Sequence, residues 1–310
     1  MKTPHKIPTR CFHKKIGVIC KAAICAAGMF CAAAGIVMDV SAGDTGQPGY
    51  RLTEQWQTTR ELRVPESVLY NRREALFYVS NINGKPTEKN GRGFISRVTL
   101  DGKIETLKWA TGLNAPKGSA IFEGRFYVSD IDCLVEIELS SGRILARYPA
   151  AGAGFLNDVA VDTAGNVYVT DMSPENSVIY RLHGGKLAVW LKNAAISRPN
   201  GLHMEKGRLV VGNSGDGTIK AVDLSTRVMT SLARVGSGID GLRPDGRGNY
   251  FVSDWQGRTS LVTAAGNVIV LMDTTAAKIN AADLEYVEEK NLLLIPTFFD
   301  NRVVAYRVSN

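Results

Sequence analysis

One pattern recurs six times along this chain and leaves few folds open to it. The segments "VPESVLYNRREALFYVSN", "APKGSAIFEGRFYVSD", "LNDVAVDTAGNVYVTD", "PNGLHMEKGRLVVGN", "IDGLRPDGRGNYFVSD" and "AADLEYVEEKNLLLIPT" each read as two strands around a turn. The second strand is β-branched and aromatic, and in most units it ends in Ser or Thr followed by Asn or Asp. In register, the first strands open on Glu66, Lys117, Asn157, Asn200, Asp240 and Ala282, at steps of 51, 40, 43, 40 and 42 residues. A third strand follows each pair, such as "GFISRVTL" or "TIKAVDL", and then a fourth, such as "IETLKWA" or "KLAVWLK". A period near 40 with about four strands per unit is the mark of a propeller blade. The sequence therefore predicts an all-β fold, a six-bladed β-propeller of four-stranded antiparallel blades, as a single domain over residues 43–310. The long first step holds a polar insert, "INGKPTEKNGRG". The sixth unit ends after "RVVAYRV" with no outer strand, and "RLTEQWQTT", ahead of the first unit, is expected to supply it and close the ring. No sustained 3.6-residue period argues for helices.

The first 42 residues read as a leader. A basic stretch (Lys2, Lys6, Arg10, Lys14, Lys15) precedes the apolar "IGVICKAAICAAGMFCAAAGIVM", and "VSA" offers small residues for cleavage. Lys21 interrupts the apolar run, which makes it a poor transmembrane helix, although a retained N-terminal anchor is the competing reading. The expectation is export, to the periplasm or beyond the cell. The whole chain carries +7, but without the leader's six Lys/Arg and one Asp this falls to about +2, so the charge gives no reason to expect nucleic acid. Only Cys133 of the five cysteines lies outside the leader. A lone thiol makes no internal disulfide, so an exported domain must rest on its core.

The first strand of a blade lines the central channel, so the residue that opens it stands at the channel mouth. Of the six such positions, Glu66, Asn157, Asn200 and Asp240 carry side-chain oxygens. Two carboxylates and two amide carbonyls form a hard donor set suited to Ca²⁺ at about 2.3–2.6 Å, with further ligands from water or substrate. Zn²⁺ is less natural, because neither His nor Cys belongs to the set. Mn²⁺ and Mg²⁺ also accept oxygen donors of this kind. Asn-Gly and Asp-Gly are common turn pairs, but Glu66 and Asn157 are not followed by Gly, and turn chemistry does not explain them.

These residues resemble the gluconolactonase and regucalcin (senescence marker protein) family and, more distantly, diisopropyl-fluorophosphatase and the paraoxonases. The resemblance spans about Pro65 to Val308. The family's metal-binding Glu matches Glu66 of "PESV", its Asn-Asp element matches Asn157-Asp158, its Asn-Gly-Leu matches Asn200 to Leu202, and its Asp-Gly matches Asp240-Gly241. It implies a six-bladed propeller with a divalent cation in the channel, a lactone or related ester as substrate, and Asp240 as general base. Ser67-Val68 replaces the family's Gly-Pro. Leu156 stands where regucalcin-like members have a basic substrate-binding side chain, and Lys117 brings a cation into the ring.

Two functions follow as expectations. In the first, a hydrolase opens a lactone, with metal as Lewis acid, Asp240 as base, and Lys117 holding a substrate carboxylate or an oxyanion. Asp158 and Trp255 join Lys117 in binding the small-molecule substrate, and Trp255 and Phe298-Phe299 read equally as walls of the pocket mouth or as core or rim packing. In the second, an exported propeller keeps the ion for structure and acts as a binding module. An open mouth above the four oxygens favours the first; a mouth plugged by the insert or by Lys117 favours the second. The competing reading of Lys117 itself is a side chain bent to solvent or paired with Asp158. Asp130, Asp171 and Asp254, which close second strands, are expected to bond loop amides. Ser-His-Asp catalysis has no supporting motif.

Overall fold

Strands with alternating apolar residues form sheets that have two faces to cover, and in this chain each sheet covers its faces with its neighbours. The computed structural model describes residues 49–236 and 238–310. They form six four-stranded antiparallel sheets arranged as a six-bladed propeller. The inner strands are Pro65–Asn71, Pro116–Phe122, Leu156–Val161, Pro199–Glu205, Leu242–Pro244 and Glu285–Val287. Five blades run inner to outer in chain order. In the sixth, Arg51–Gln57 is the outer strand, paired antiparallel with Val303–Ser309 through partners such as Leu52 and Val308. This is the closure expected from "RLTEQWQTT". The expected leader and anchor, residues 1–42, lie outside the described residues. Among those described, no helix is long and apolar enough to cross a membrane.

Six apolar clusters fill the spaces between adjacent blades. Leu134 of the second blade, for example, packs with Leu156, Val167 and Tyr180 of the third, and Leu209 and Val211 of the fourth with Tyr168 and Trp190 of the third. Each fully buried Leu, Val or Phe removes enough apolar surface from water to stabilise the fold by about 1.5–3 kcal/mol. A seventh cluster, Ile82, Ala115, Ile131, Ala282 and Phe298, gathers residues of blades one, two and six.

Small residues let the inner strands approach one another. A Cβ on Gly118 would lie 2.5 Å from the Asp158 Cα, and one on Gly241 would lie 2.4 Å from the Leu284 nitrogen. Gly201 follows Asn200 within a strand, not in a turn, and its missing Cβ would meet the Asp240 carbonyl at 2.7 Å. In Asn200-Gly201 the glycine therefore answers to the neighbouring blade.

Candidate active site

The Ser/Thr-Asp/Asn ending of the second strands fixes the ring residues from two sides. The hydroxyl reaches the next blade: Thr170 Oγ1 donates to the Asn200 carbonyl at 3.0 Å, Ser253 Oγ to the Ala282 carbonyl at 2.7 Å, and Ser129 Oγ to the Asn157 carbonyl. Ser67 Oγ likewise donates to the Lys117 carbonyl at 2.7 Å. The acid or amide holds the loop ahead of its own inner strand. Asp130 accepts from the Asn114 and Ala115 amides, Asp171 from Phe155, Asn81 from Arg63 and Asn213 from Ser197. Asp254 accepts instead from Gln256, at 3.0 Å. Lys117, Asn157 and Asn200 thus leave strands whose backbone is tied on both flanks.

Glu66, Lys117, Asn157, Asn200, Asp240 and Trp255 line one cavity of about 420 Å³. All but Trp255 are buried. The Asn200 side-chain amide donates to Asp240 Oδ1 at 2.9 Å, and the Asn157 amide lies 3.0 Å from the Met172 sulfur. With their NH₂ groups engaged, both amides leave the carbonyl oxygen free: Asn157 Oδ1, Asn200 Oδ1 and Glu66 Oε2 are buried without a hydrogen-bond partner. Buried oxygens of this kind normally have partners, since an unsatisfied one costs about 1–3 kcal/mol. Three of them in one cavity, beside Asp240, form a donor set with unmet demand for positive charge. Among the described residues no three His, Cys, Asp or Glu side chains assemble in metal-ligand geometry; in this ring, half the oxygens come from amides.

The electrostatics agree with the geometry. Burial, reinforced by Asp240 and opposed by Lys117, pushes the Glu66 carboxyl well above its usual range. Burial also lifts Asp240 to about 7, with Asp158 and Asp254 adding to the rise and the Asn200 hydrogen bond opposing it. Lys117 goes the other way: burial pulls its ammonium down to about 8 against the pull of Glu66. Its Nζ donates to the Ala115 carbonyl at 3.0 Å and sits 4.8 Å from the centre of the Phe155 ring. Lys117 is therefore neither bent to solvent nor paired with Asp158.

Asp158 is the exception among the sequence-selected residues, because it does not line the cavity. Its Oδ2 accepts from the Leu202 amide at 2.6 Å and its Oδ1 from Val159 at 2.7 Å. Its ionic partner is Arg243, with Nη1 3.6 Å from Oδ2. Asp158 was expected to bind substrate; its carboxylate is committed instead to the backbone and to Arg243. The same guanidinium lies 3.7 Å from Asp283 and 3.6 Å from Glu285. Burial raises all three acids, and Arg243 opposes the rise in each. The sequence reading missed this buried group. Adjacent acids such as Asp283 within the repeat were its only signal.

The insert between Leu76–Asn81 and Gly93–Thr99 borders the cavity. Lys89 pairs with Asp132 at 2.5 Å and the Gly91 amide donates to Asn114 at 3.1 Å, which ties the insert to the second blade. From it, Pro86 contributes to the cavity wall.

Residues 64–282 match the family model described as the SMP-30/gluconolactonase/LRE-like region. The chain belongs to this family. The propeller is also similar to a solved structural-genomics target described as a candidate gluconolactonase, with a TM-score of 0.61 and 16% identity, covering 84% of this chain and 93% of the other. At that identity the likeness speaks for the fold. Among curated proteins none matches the chain. The family assignment covers five of the six ring positions with oxygen or nitrogen side chains, from Glu66 to Asp240, together with Ala282 at its limit.

Proposed function

We propose that this family member is a divalent-cation-dependent hydrolase of the lactonase type, opening a lactone or related ester at the channel mouth. The observation that carries the reading is the set of three unpartnered buried oxygens, on Glu66, Asn157 and Asn200, that shares a cavity with Asp240. The residues fit a hard cation: two carboxylates match its charge, and the two amide oxygens add ligands at no charge cost. Ca²⁺ suits the set best, ahead of Zn²⁺, Mn²⁺ and Mg²⁺.

When bound, the cation supplies Lewis-acid polarisation of the substrate carbonyl. The protein's own groups do the rest. Asn200 fixes the rotamer of Asp240 through the 2.9 Å hydrogen bond, leaving Oδ2 to accept a proton from an attacking water. Lys117 keeps an N–H donor in the cavity wall, where it meets negative charge as it develops on the substrate oxygen. Phe155 under its Nζ keeps the ammonium from straying toward bulk water. Gly118 and Gly241 let the blades close tightly enough for the ring side chains to converge.

A cavity of about 420 Å³ lined by the four oxygen-bearing ring residues leaves room for a substrate beside the ion, which favours turnover over a purely structural ion. The export expected from residues 1–42 belongs to the same reading. The test is hydrolysis of aldono- and aliphatic lactones by the protein after chelation and again after Ca²⁺, Mn²⁺ or Zn²⁺ is restored. Activity that disappears and returns with metal supports the hydrolase. A metal-dependent rise in melting temperature with no turnover of any lactone or ester replaces it with the binding module.

A further inference from the structure

The cavity has a second wall whose chemistry the hydrolase reading does not use. Trp255, in the loop after the second strand of blade five, meets Phe298 and Phe299, in the corresponding loop of blade six. The ring centroids are 5.5 Å apart for Trp255–Phe298, 6.0 Å for Trp255–Phe299 and 4.8 Å for Phe298–Phe299, all edge to face. Trp255 and Phe298 line the cavity. Phe298 is buried, but Trp255 is 42% exposed and Phe299 62% exposed.

This wall is held in place. Phe298 has a φ of +50°, a left-handed conformation that costs a bulky residue energy and persists only where surroundings impose it. They do so here: Thr297 and Arg302 bond across the turn at 2.8 Å, Asn301 accepts from the Val64 amide at 2.8 Å, and Asp300 is paired with Arg60 at 2.8 Å and with Arg302. On the other loop, Asn280 donates to the Trp255 carbonyl at 2.8 Å. A rigid aromatic ledge left in water at a cavity mouth is binding surface prepared in advance.

The ledge is poorly suited to a polar partner. Its three side chains offer a single hydrogen-bonding group, the Trp255 indole N–H. A sugar arm would lay only its C–H face on these rings, and its hydroxyls would have to find partners elsewhere in the lining, at Arg198, Ser214, Asp254 or Gln256. Ile82, Met172 and Ile239, also in the lining, extend the apolar surface.

We propose that the substrate carries an apolar alkyl or aryl arm that lies on Trp255, Phe298 and Phe299, so that the site selects apolar-substituted lactones or esters over aldonolactones. The proposal rests on the hydrolase reading for the reacting group, but the ledge can be tested apart from it. The test measures kcat/KM of the full-length protein with Ca²⁺ for γ-lactones bearing methyl to heptyl chains and for glucono-δ-lactone, alongside Phe299→Ser. A fully buried methylene is worth about fourfold. A partly exposed ledge therefore predicts at least a tenfold rise in kcat/KM from methyl to heptyl. Phe299→Ser, at a position exposed enough not to threaten folding, lowers the heptyl-to-methyl ratio at least threefold, chiefly through KM. A flat series, or a preference for glucono-δ-lactone, overturns the ledge proposal and leaves the hydrolase standing. No turnover of any lactone overturns the hydrolase. Titration of tryptophan fluorescence with the unreactive heptyl-substituted γ-lactam then decides the ledge by itself: saturable binding weakened by Phe299→Ser supports it, and no binding overturns it.

Discussion

Arg243 of the fifth blade and Asp158 of the third meet inside the propeller, with Nη1 3.6 Å from Oδ2, and the same guanidinium faces Asp283 and Glu285 of the sixth. One cation thus serves three acids from two blades, of which Asp158 and Asp283 are buried. Asp283 accepts no hydrogen bond from any described residue, so Arg243 is its main compensation. Burial opposes the charge on Arg243, but Asp283, Asp158 and Glu285 outweigh it and hold the guanidinium protonated.

Removing that cation strands the acids. Breaking a buried ion pair by deleting one partner costs about 3–5 kcal/mol, and Arg243→Met is expected to fall in that range by urea denaturation. Arg243→Lys recovers only part of the loss, because an ammonium gathers its N–H groups on one compact atom, whereas the guanidinium faces Asp158, Asp283 and Glu285 from three separate nitrogens, Nη1, Nη2 and Nε. An Arg243→Met protein as stable as the wild type would show that the acids are neutral or solvated.

Inner-strand spacing leads to a second prediction. A Cβ on Gly118 would stand 2.3 Å from Asp158 Oδ1 and 2.5 Å from its Cα, and one on Gly241 would stand 2.4 Å from the Leu284 nitrogen. The Asp158 Cα and Leu284 nitrogen are backbone atoms that cannot swing aside. Gly118→Ala and Gly241→Ala should each cost about 3 kcal/mol, against about 1 kcal/mol for Gly207→Ala, where nothing lies within 4 Å and only the φ of +77° is strained. Melting temperatures that rank Gly207→Ala as the most damaging would refute the close approach.

The contrast between these residues shows what could be read from the chain. Six segments in register gave the blades, because strands that bury both faces must repeat the same apolar alternation. The ring from Glu66 to Asp240 was legible for the same reason, since a fixed position in the repeat becomes a fixed position at the mouth. Arg243 was not, because "GLRPDG" looks like any basic residue before a turn; its partners converge on it only when the ring closes. Asn157 faces the cavity while the adjacent Asp158 bonds the Leu202 amide, a difference that two neighbouring polar residues in a repeat do not reveal. The hydroxyls of Ser129, Thr170 and Ser253 were visible in the repeat, but their work across the blade boundary became clear only from the neighbouring carbonyls.

Acid should reveal His203. Its half-buried ring sits near Arg243, and burial with that charge lowers its imidazolium pKa to about 3. An unfolded histidine takes up its proton near pH 6.5. Between pH 6.5 and 3 the unfolded chain therefore binds a proton that the folded chain refuses, and stability falls as pH falls. The raised acids around Arg243 act in the opposite sense, so the difference between wild type and His203→Asn isolates the histidine. At pH 4.5 the variant should lose about 2–3 kcal/mol less, relative to pH 7.5, than the wild type. Parallel pH profiles for the two proteins would mean that the ring titrates freely.

The cation proposal has its most direct test in stability, where no substrate is needed. A ligand at a hundred times its dissociation constant stabilises the folded state by about 2.7 kcal/mol, or about 5–10 °C in Tm for a domain of this size. Chelated protein should gain that much on addition of Ca²⁺. Glu66→Gln removes one of two charges, and Asn157→Leu removes an amide oxygen that has no hydrogen-bond partner. Both variants should lose most of the Ca²⁺-dependent gain. Asn157→Leu should nonetheless be no less stable than the wild type without metal, because it deletes a buried unsatisfied carbonyl whose only amide partner is the weakly accepting Met172 sulfur. A site that stabilises the ion at the cost of the empty protein gives this crossing of the two effects. Equal Ca²⁺ shifts in all three proteins would move the cation elsewhere.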